Sequence, residues 1–271
     1  HQRTVDLDNA GIAPLEVEHM IKTEADYGPA MYIFENMECY PAYDEFEAYD
    51  RDIGDRGLPM IQVEEVPFHF FLNDLVGYEK GYLDLMDYPD KVEALLATIE
   101  NSFREKMWPI VANSPGTLFL HGLHLASTTT PPRFFDQYLT PYMREFADYM
   151  HDHGKYVAHH ADNDTRSILS QLKDTNYDMH ECFATAPLVP TTFKEAREGL
   201  GPDITIFGAV PSVILEEDVS DSEFEAYMEE VFDNIAPGDR TILGIADNMM
   251  PSSMLSRVKR IVEMIDERAA V

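Results

Sequence analysis

The chain has 271 residues, with 50 Asp and Glu against 20 Lys and Arg, for a formal net charge of −30. That field excludes nucleic acid and anionic membrane as partners. At 45% hydrophobic and 11% aromatic the composition is that of a globular chain able to bury a large core.

The acids are spread along the whole chain, so they read as solvated faces. They fit an acidic surface suited to a salty cytosol, and equally an ordinary acidic bacterial or archaeal enzyme. No apolar run reaches the roughly 18 residues needed to span a bilayer. The two cysteines, Cys39 and Cys182, are too few for a disulfide framework, so a reducing, cytoplasmic setting is expected. The sequence opens His-Gln-Arg-Thr with neither an initiator Met nor an apolar signal core, which raises the expectation that its start is missing.

In chain order, residues 1–57 read as irregular and helical. Met60 to Glu64 then reads as a strand. Glu79 to Pro109 reads as helix, broken at Tyr88-Pro89-Asp90, where Pro89 suits a helix start. Val92, Leu95, Leu96 and Ile99 recur there at helical spacing. Gly116 to His121 is the second strand, and Pro131 to His153 a helix stopped by Gly154. Lys155 to His160 is the third strand, and Thr165 to Leu172 a short helix. Tyr177 to Phe183 is the fourth strand, and Thr191 to Leu200 a helix. Ile204 to Gly208 is the fifth strand. Asp221 to Ile235 is a helix, with Ser220 and Asp221 as capping candidates. Thr241 to Ile245 is the sixth strand and Ser252 to Arg268 an amphipathic final helix.

Six strands alternating with helices imply a parallel sheet with helical crossovers. Neither Gly-x-Gly-x-x-Gly nor a phosphate-binding Gly-x-x-x-x-Gly-Lys-Ser/Thr occurs, which disfavours a nucleotide-binding sheet. Polar residues gather where strands end, as they do at the active face of an α/β barrel. The expected fold is therefore a (β/α)8 TIM barrel lacking its first one or two strands here. It would form a single domain over 1–271, with barrel strands and helices from residue 58 onward.

His160 and Asp162 close the third strand and point toward the mouth, where imidazole and carboxylate could grip one divalent ion. A hydrogen-bonded pair without metal is the alternative. Glu181 ends the next strand and is the candidate third ligand. Cys182 is a reserve, because neighbouring strand residues face opposite sides. Asp247 is the fourth candidate. His159 should face away from His160 as a structural residue. His121 and His124 are either substrate contacts over the mouth or plain loop packing, and one inward carboxylate of Glu64-Glu65 is a candidate substrate contact. Phe68, with Phe70 and Phe71, is either packing or the wall of an apolar pocket. There is no Gly-x-Ser-x-Gly elbow, and no base identifies Cys182 as a nucleophile.

Four stretches resemble the uroporphyrinogen decarboxylase superfamily, which includes corrinoid-dependent methyltransferases. They are Val76-Gly-Tyr-Glu79 through Asp87-Tyr-Pro-Asp-Lys-Val-Glu-Ala-Leu95; Ser127 through Pro132-Arg-Phe-Phe with Tyr138-Leu-Thr-Pro141; His160-Ala-Asp162-Asn-Asp164; and Ile204 through Ser212 followed by Ile242 through Asp247. The resemblance implies a (β/α)8 barrel. Its methyltransferase branch holds zinc through a His-x-Cys pair and a Cys on the last strand. His160 matches that His, Asp162 stands at the first Cys position, and Leu243 falls at the last, with Asp247 nearby. The resemblance thus implies an oxygen-rich site of His160, Asp162, Glu181 and Asp247, like that of O-demethylase members. Such an enzyme would pass a methyl group from a small O-methyl substrate to cobalamin on a separate corrinoid protein. A cofactor-free decarboxylase is the second expectation, and a non-catalytic binding barrel the third.

Overall fold

The computed structural model describes residues 4–6 and 15–269, which form two compact units. The first lies within residues up to Phe119 together with Asp148–Lys155, and the second comprises Leu120–Ala147 and the chain from Tyr156. The boundary between them falls inside the second predicted strand.

The first unit opens with a pair absent from the sequence reading. Strand β1 (Thr4–Asp6) runs antiparallel to β2 (Leu15–Glu18), where an irregular stretch was expected. Helices α1 (Tyr27–Glu35) and α2 (Tyr43–Ile53) precede β3 (Met60–Gln62). Then come α3 (Pro67–Phe70), α4 (Tyr78–Asp87), α5 (Pro89–Ser102) and α6 (Trp108–Ala112). Val92, Leu95, Leu96 and Ile99 form the buried face of α5, and Phe68, Phe71 and Leu75 are buried in the same unit. The Phe68 ring lies 6.4 Å from that of Phe71. Tyr27 Oη donates to Asp84 Oδ2 at 2.7 Å, and Lys80 pairs with the same buried carboxylate. Glu64 is the costly residue of this unit. Neither of its oxygens meets a partner at hydrogen-bond geometry. Burial pushes its carboxyl up to about 7; its own amide and the Trp108 indole oppose this only in part, and the Glu65 charge adds to it.

The remaining elements are β4 (Leu118–Leu120), α7 (Pro132–Phe134), α8 (Thr140–Asp152), β5 (Tyr156–His160), α9 (Leu169–Lys173), β6 (Met179–Phe183), α10 (Phe193–Leu200), β7 (Thr205–Pro211), α11 (Asp221–Ile235), β8 (Thr241–Ala246) and α12 (Leu255–Ala269). All six predicted strands are present. In the second unit β5, β6, β7 and β8 pair parallel in chain order. The chain after β4 runs beside β5, with His121 N donating to Ala158 O. The fold is α/β with helical crossovers, as the alternation predicts.

Two predicted helices are interrupted by π-helical turns, at Phe103–Met107 and Phe135–Leu139. Each turn precedes a helix whose second residue is proline, Pro109 or Pro141. Proline has no N–H to give to the preceding turn, so the hydrogen-bond ladder changes register there. The α11 start is as expected: the Ser220 side chain accepts from Glu223 N, and Glu223 reaches back to Ser220 N. Gly208 cannot carry a side chain. At φ +144° a Cβ would stand 2.6 Å from both the N and the O of Phe183.

Behind the strand ends lies a set of buried imidazoles. His159 pairs in register with His180, their Nδ1 atoms 3.1 Å apart. His121 packs on Phe146 with its Nδ1 bonded to Tyr177 Oη. The Nε2 atoms of all three lack partners. His121 is thus enclosed in the core, which favours the packing alternative over substrate contact. Burial drives His121 and His180 down to about 3, and His159 well below its usual range.

These shifts set two opposite pH dependences. An imidazole held neutral when folded but free to protonate when unfolded makes the unfolded state bind more protons below pH 6.5. Stability therefore falls as pH drops from 6.5 toward 4.5. Replacing His121 and Tyr177 together by Phe removes one such group without orphaning the hydroxyl. Denaturant melts should then show a shallower acid limb, and an unchanged limb would refute the assignment. Glu64 acts in the other direction. Its folded value lies above the usual 4.5, so the native state binds more protons between 4.5 and about 7, and stability is lost as pH rises through that window. Glu64→Gln should raise the melting temperature at pH 8 by on the order of a few degrees and leave it near the parent value at pH 4.

Candidate functional site

The β5–β6 register sets His160 opposite Glu181 at the strand ends. His160 Nδ1 donates to Glu181 Oε2 at 2.6 Å. A carboxylate can only accept, so this bond places a proton on Nδ1 and leaves Nε2 as the other ring nitrogen. Nε2 stands 3.6 Å from Asp162 Oδ2. Asp162 also accepts from His124 Nδ1 at 2.6 Å and, on its other oxygen, from Asn163 Nδ2 at 3.1 Å. His160 and Asp162 therefore converge as the two-residue spacing predicts, and His124 joins them. His124 sits in the left-handed region at φ +53° and is 59% exposed, so it is the open side of the group.

One expectation is corrected. Alternation along a strand predicted that only one of Glu181 and Cys182 would reach the site. The register between β6 and β7 shifts between His180 and Phe183, and Cys182 takes φ +52°. That bulge breaks the alternation and brings both neighbours to one side. Ligand atoms of His160, Cys182 and Asp247 lie within 4.8 Å of one another, as do those of His124, His160 and Asp162. Cys182 Sγ contacts Asp247 Oδ1 at 3.9 Å. Glu181 differs from expectation: it binds the ring nitrogen of His160 that faces away from Asp162 and belongs to neither grouping. Leu243 packs against the α11–α12 core, so the residue at the implied last-strand Cys position is structural. Glu64 and Phe68 have their surroundings in the first unit.

The electrostatics bind the cluster together. Burial disfavours the His160 cation, yet its bonds to Asp162 and Glu181 outweigh that and raise it to about 10. Burial likewise opposes the Asp162 charge, and the bonds from His124 and His160 reverse this, holding the carboxyl well below its usual range. Cys182 is pushed up to about 12 by burial and by the charges of Glu181, Asp247 and Asp162. The thiol is thus fully protonated near neutrality, which removes it as an unassisted nucleophile.

Two overlapping donor sets have the chemistry to take a divalent ion: imidazole, sulfur and carboxylate from His160, Cys182 and Asp247, and two imidazoles with a carboxylate from His124, His160 and Asp162. The carboxylates that hold the Cys182 proton on are the surplus negative charge a cation would offset. Glu181 holds the far ring nitrogen of His160, as an outer carboxylate would if that histidine took a metal ion.

Among the described residues no helix is long and apolar enough to cross a membrane. No curated protein sequence matches the chain. In fold it is similar to a methyltransferase from Methanosarcina mazei, with a TM-score of 0.66 over 98% of this chain and 76% of the other, at 13% identity. The sequence profile of the uroporphyrinogen decarboxylase (URO-D) family matches residues 40–268, most of the chain and every element of the site, so the chain belongs to the uroporphyrinogen decarboxylase family.

Proposed function

We propose that the protein is a cytoplasmic, metal-assisted methyltransferase, moving a methyl group from a small O-methyl substrate to cobalamin on a corrinoid protein. The observation that carries this reading is that ligand atoms of His160, Cys182 and Asp247 lie within 4.8 Å of one another, with His160 also shared by a second group, His124–His160–Asp162. The set differs from the all-oxygen-plus-histidine site implied by the sequence, because Cys182 takes the place given to Glu181. A mixed nitrogen, sulfur and oxygen set suits zinc.

A bound divalent ion would supply Lewis acidity toward the ether oxygen. The chain's own residues do the rest. Glu181 fixes the His160 ring in one orientation. Asn163 and His124 hold the Asp162 carboxylate from two directions. His124, on the exposed side, is placed to donate a proton to the departing oxygen while Asp162 keeps its ring aligned. The fold likeness to a methyltransferase supports the reading, and the scarcity of basic residues disfavours a substrate rich in carboxylates.

Metal analysis and methyl transfer test this together. Wild-type protein should take up one zinc and transfer methyl groups from an aryl methyl ether to added corrinoid protein. His160→Ala should lose both. Glu181→Gln should retain the ligands yet bind zinc about 10–100-fold more weakly. Failure of the wild type to take up any divalent ion would sink the metal centre. Carbon dioxide release from a carboxylated substrate without corrinoid would replace methyl transfer by decarboxylation.

The thiol gives a separate readout. In a Cys39→Ala background, metal-free protein should be alkylated slowly at pH 8, because Cys182 is pushed up to about 12. Zinc uptake should release about one thiol proton to the solution, detectable in weakly buffered calorimetry. Uptake with no difference in proton release between this background and Cys182→Ser would remove Cys182 from the ligand set.

A further inference from the structure

The first unit contains a second candidate site. Residues of α2, β3, α6 and the approach to β4 surround a cavity of about 430 Å³, within the range of small-molecule sites. Its wall is apolar and aromatic, with Tyr43, Phe46, Ile61, Val111 and Phe119 the main contributors. Tyr43 spends its hydroxyl on Ile110 O, donating at 2.5 Å, which leaves the ring as wall. The exception is Glu64, which also lines the cavity. Its carboxyl is buried, and neither oxygen meets a partner at hydrogen-bond geometry, although the Trp108 indole is close enough to act on it.

An occupant has to satisfy that carboxyl. A hydrocarbon would leave it unpaired. An anion would meet repulsion from Glu64 and from a chain of net charge −30. A neutral alcohol could hydrogen-bond but would not offset charge. A protonated amine does both, through a charge-assisted bond, and aromatic walls favour a cation further.

We propose that this cavity binds a small organic ammonium compound, its aromatic or branched-alkyl body against Phe46 and Phe119 and its N–H donors on Glu64. The cavity shares no residue with the His160 cluster, so this proposal and the methyltransferase reading can fail separately.

Isothermal titration calorimetry of the full chain at pH 8, with benzylammonium and benzyl alcohol as probes, tests it. Wild type should bind benzylammonium at least tenfold more tightly than benzyl alcohol. Glu64→Gln, a near-isosteric change, should abolish that preference. Phe46→Ala, at the half-buried rim, should weaken both probes several-fold. Absence of benzylammonium binding, equal affinity for the two probes, or a preference that survives Glu64→Gln overturns the proposal. Binding unaffected by Phe46→Ala overturns its location.

Discussion

The pairing of β5 with β6 governs most of what is particular to this molecule. Because the strands run parallel and in register, His159 meets His180 and His160 meets Glu181. Successive residues face opposite sides, so one step along the strand separates two chemistries. On one side a histidine pair is fully buried and held neutral. On the other a half-buried histidine is held cationic by carboxylates. The same side chain is pushed in opposite directions by burial alone and by burial with charged partners. A one-residue slip would exchange the two sets and put cations into the core.

The second constraint is the break in that regularity. Cys182 leaves the extended conformation just where Gly208 lets β7 approach the Phe183 backbone closely. A side chain on Gly208 would collide with peptide atoms, which cannot rotate away. The close approach and the bulge are therefore coupled, and the bulge turns Cys182 toward His160. A left-handed residue other than glycine is costly, and such cost is characteristically carried at functional sites.

How much of this was legible in the sequence follows from the physics. Strands and helices of the second half were readable because apolar periodicity is a local property. His160 and Asp162 were readable because a two-residue spacing on a strand fixes a common side. Val92, Leu95, Leu96 and Ile99 were readable for the same reason on a helix. Cys182 was misjudged because the alternation rule assumes an unbroken strand, and only Gly208 on the neighbouring strand hints otherwise. The bond Glu181 makes was not legible, because sequence fixes that it faces His160 but not which ring nitrogen it takes. His121 stayed between two roles because a strand-end position does not distinguish the open mouth from the packing behind it. The π-helical turns before Pro109 and Pro141 keep a helical pattern of apolar residues, so the interruption leaves no mark on the periodicity.

The position of the sulfur is the point on which family and chain part most clearly. The resemblance implied thiolates at Asp162 and Leu243. The first of these is a carboxylate, and the second is packed against α11 and α12. A cysteine nevertheless reaches the site, from the strand that follows His160, together with an aspartate after β8. In the cluster its proton is held on by burial first, and then by the charges of Glu181, Asp247 and Asp162. Those same three carboxylates are what would attract a dication, and a dication inverts the balance by favouring the thiolate. Protonation and the proposed metal uptake would thus be competing answers to one problem, the crowding of negative charge around a half-buried histidine. That competition would tie the pH dependence of any metal uptake to the strand bulge that brought the sulfur there.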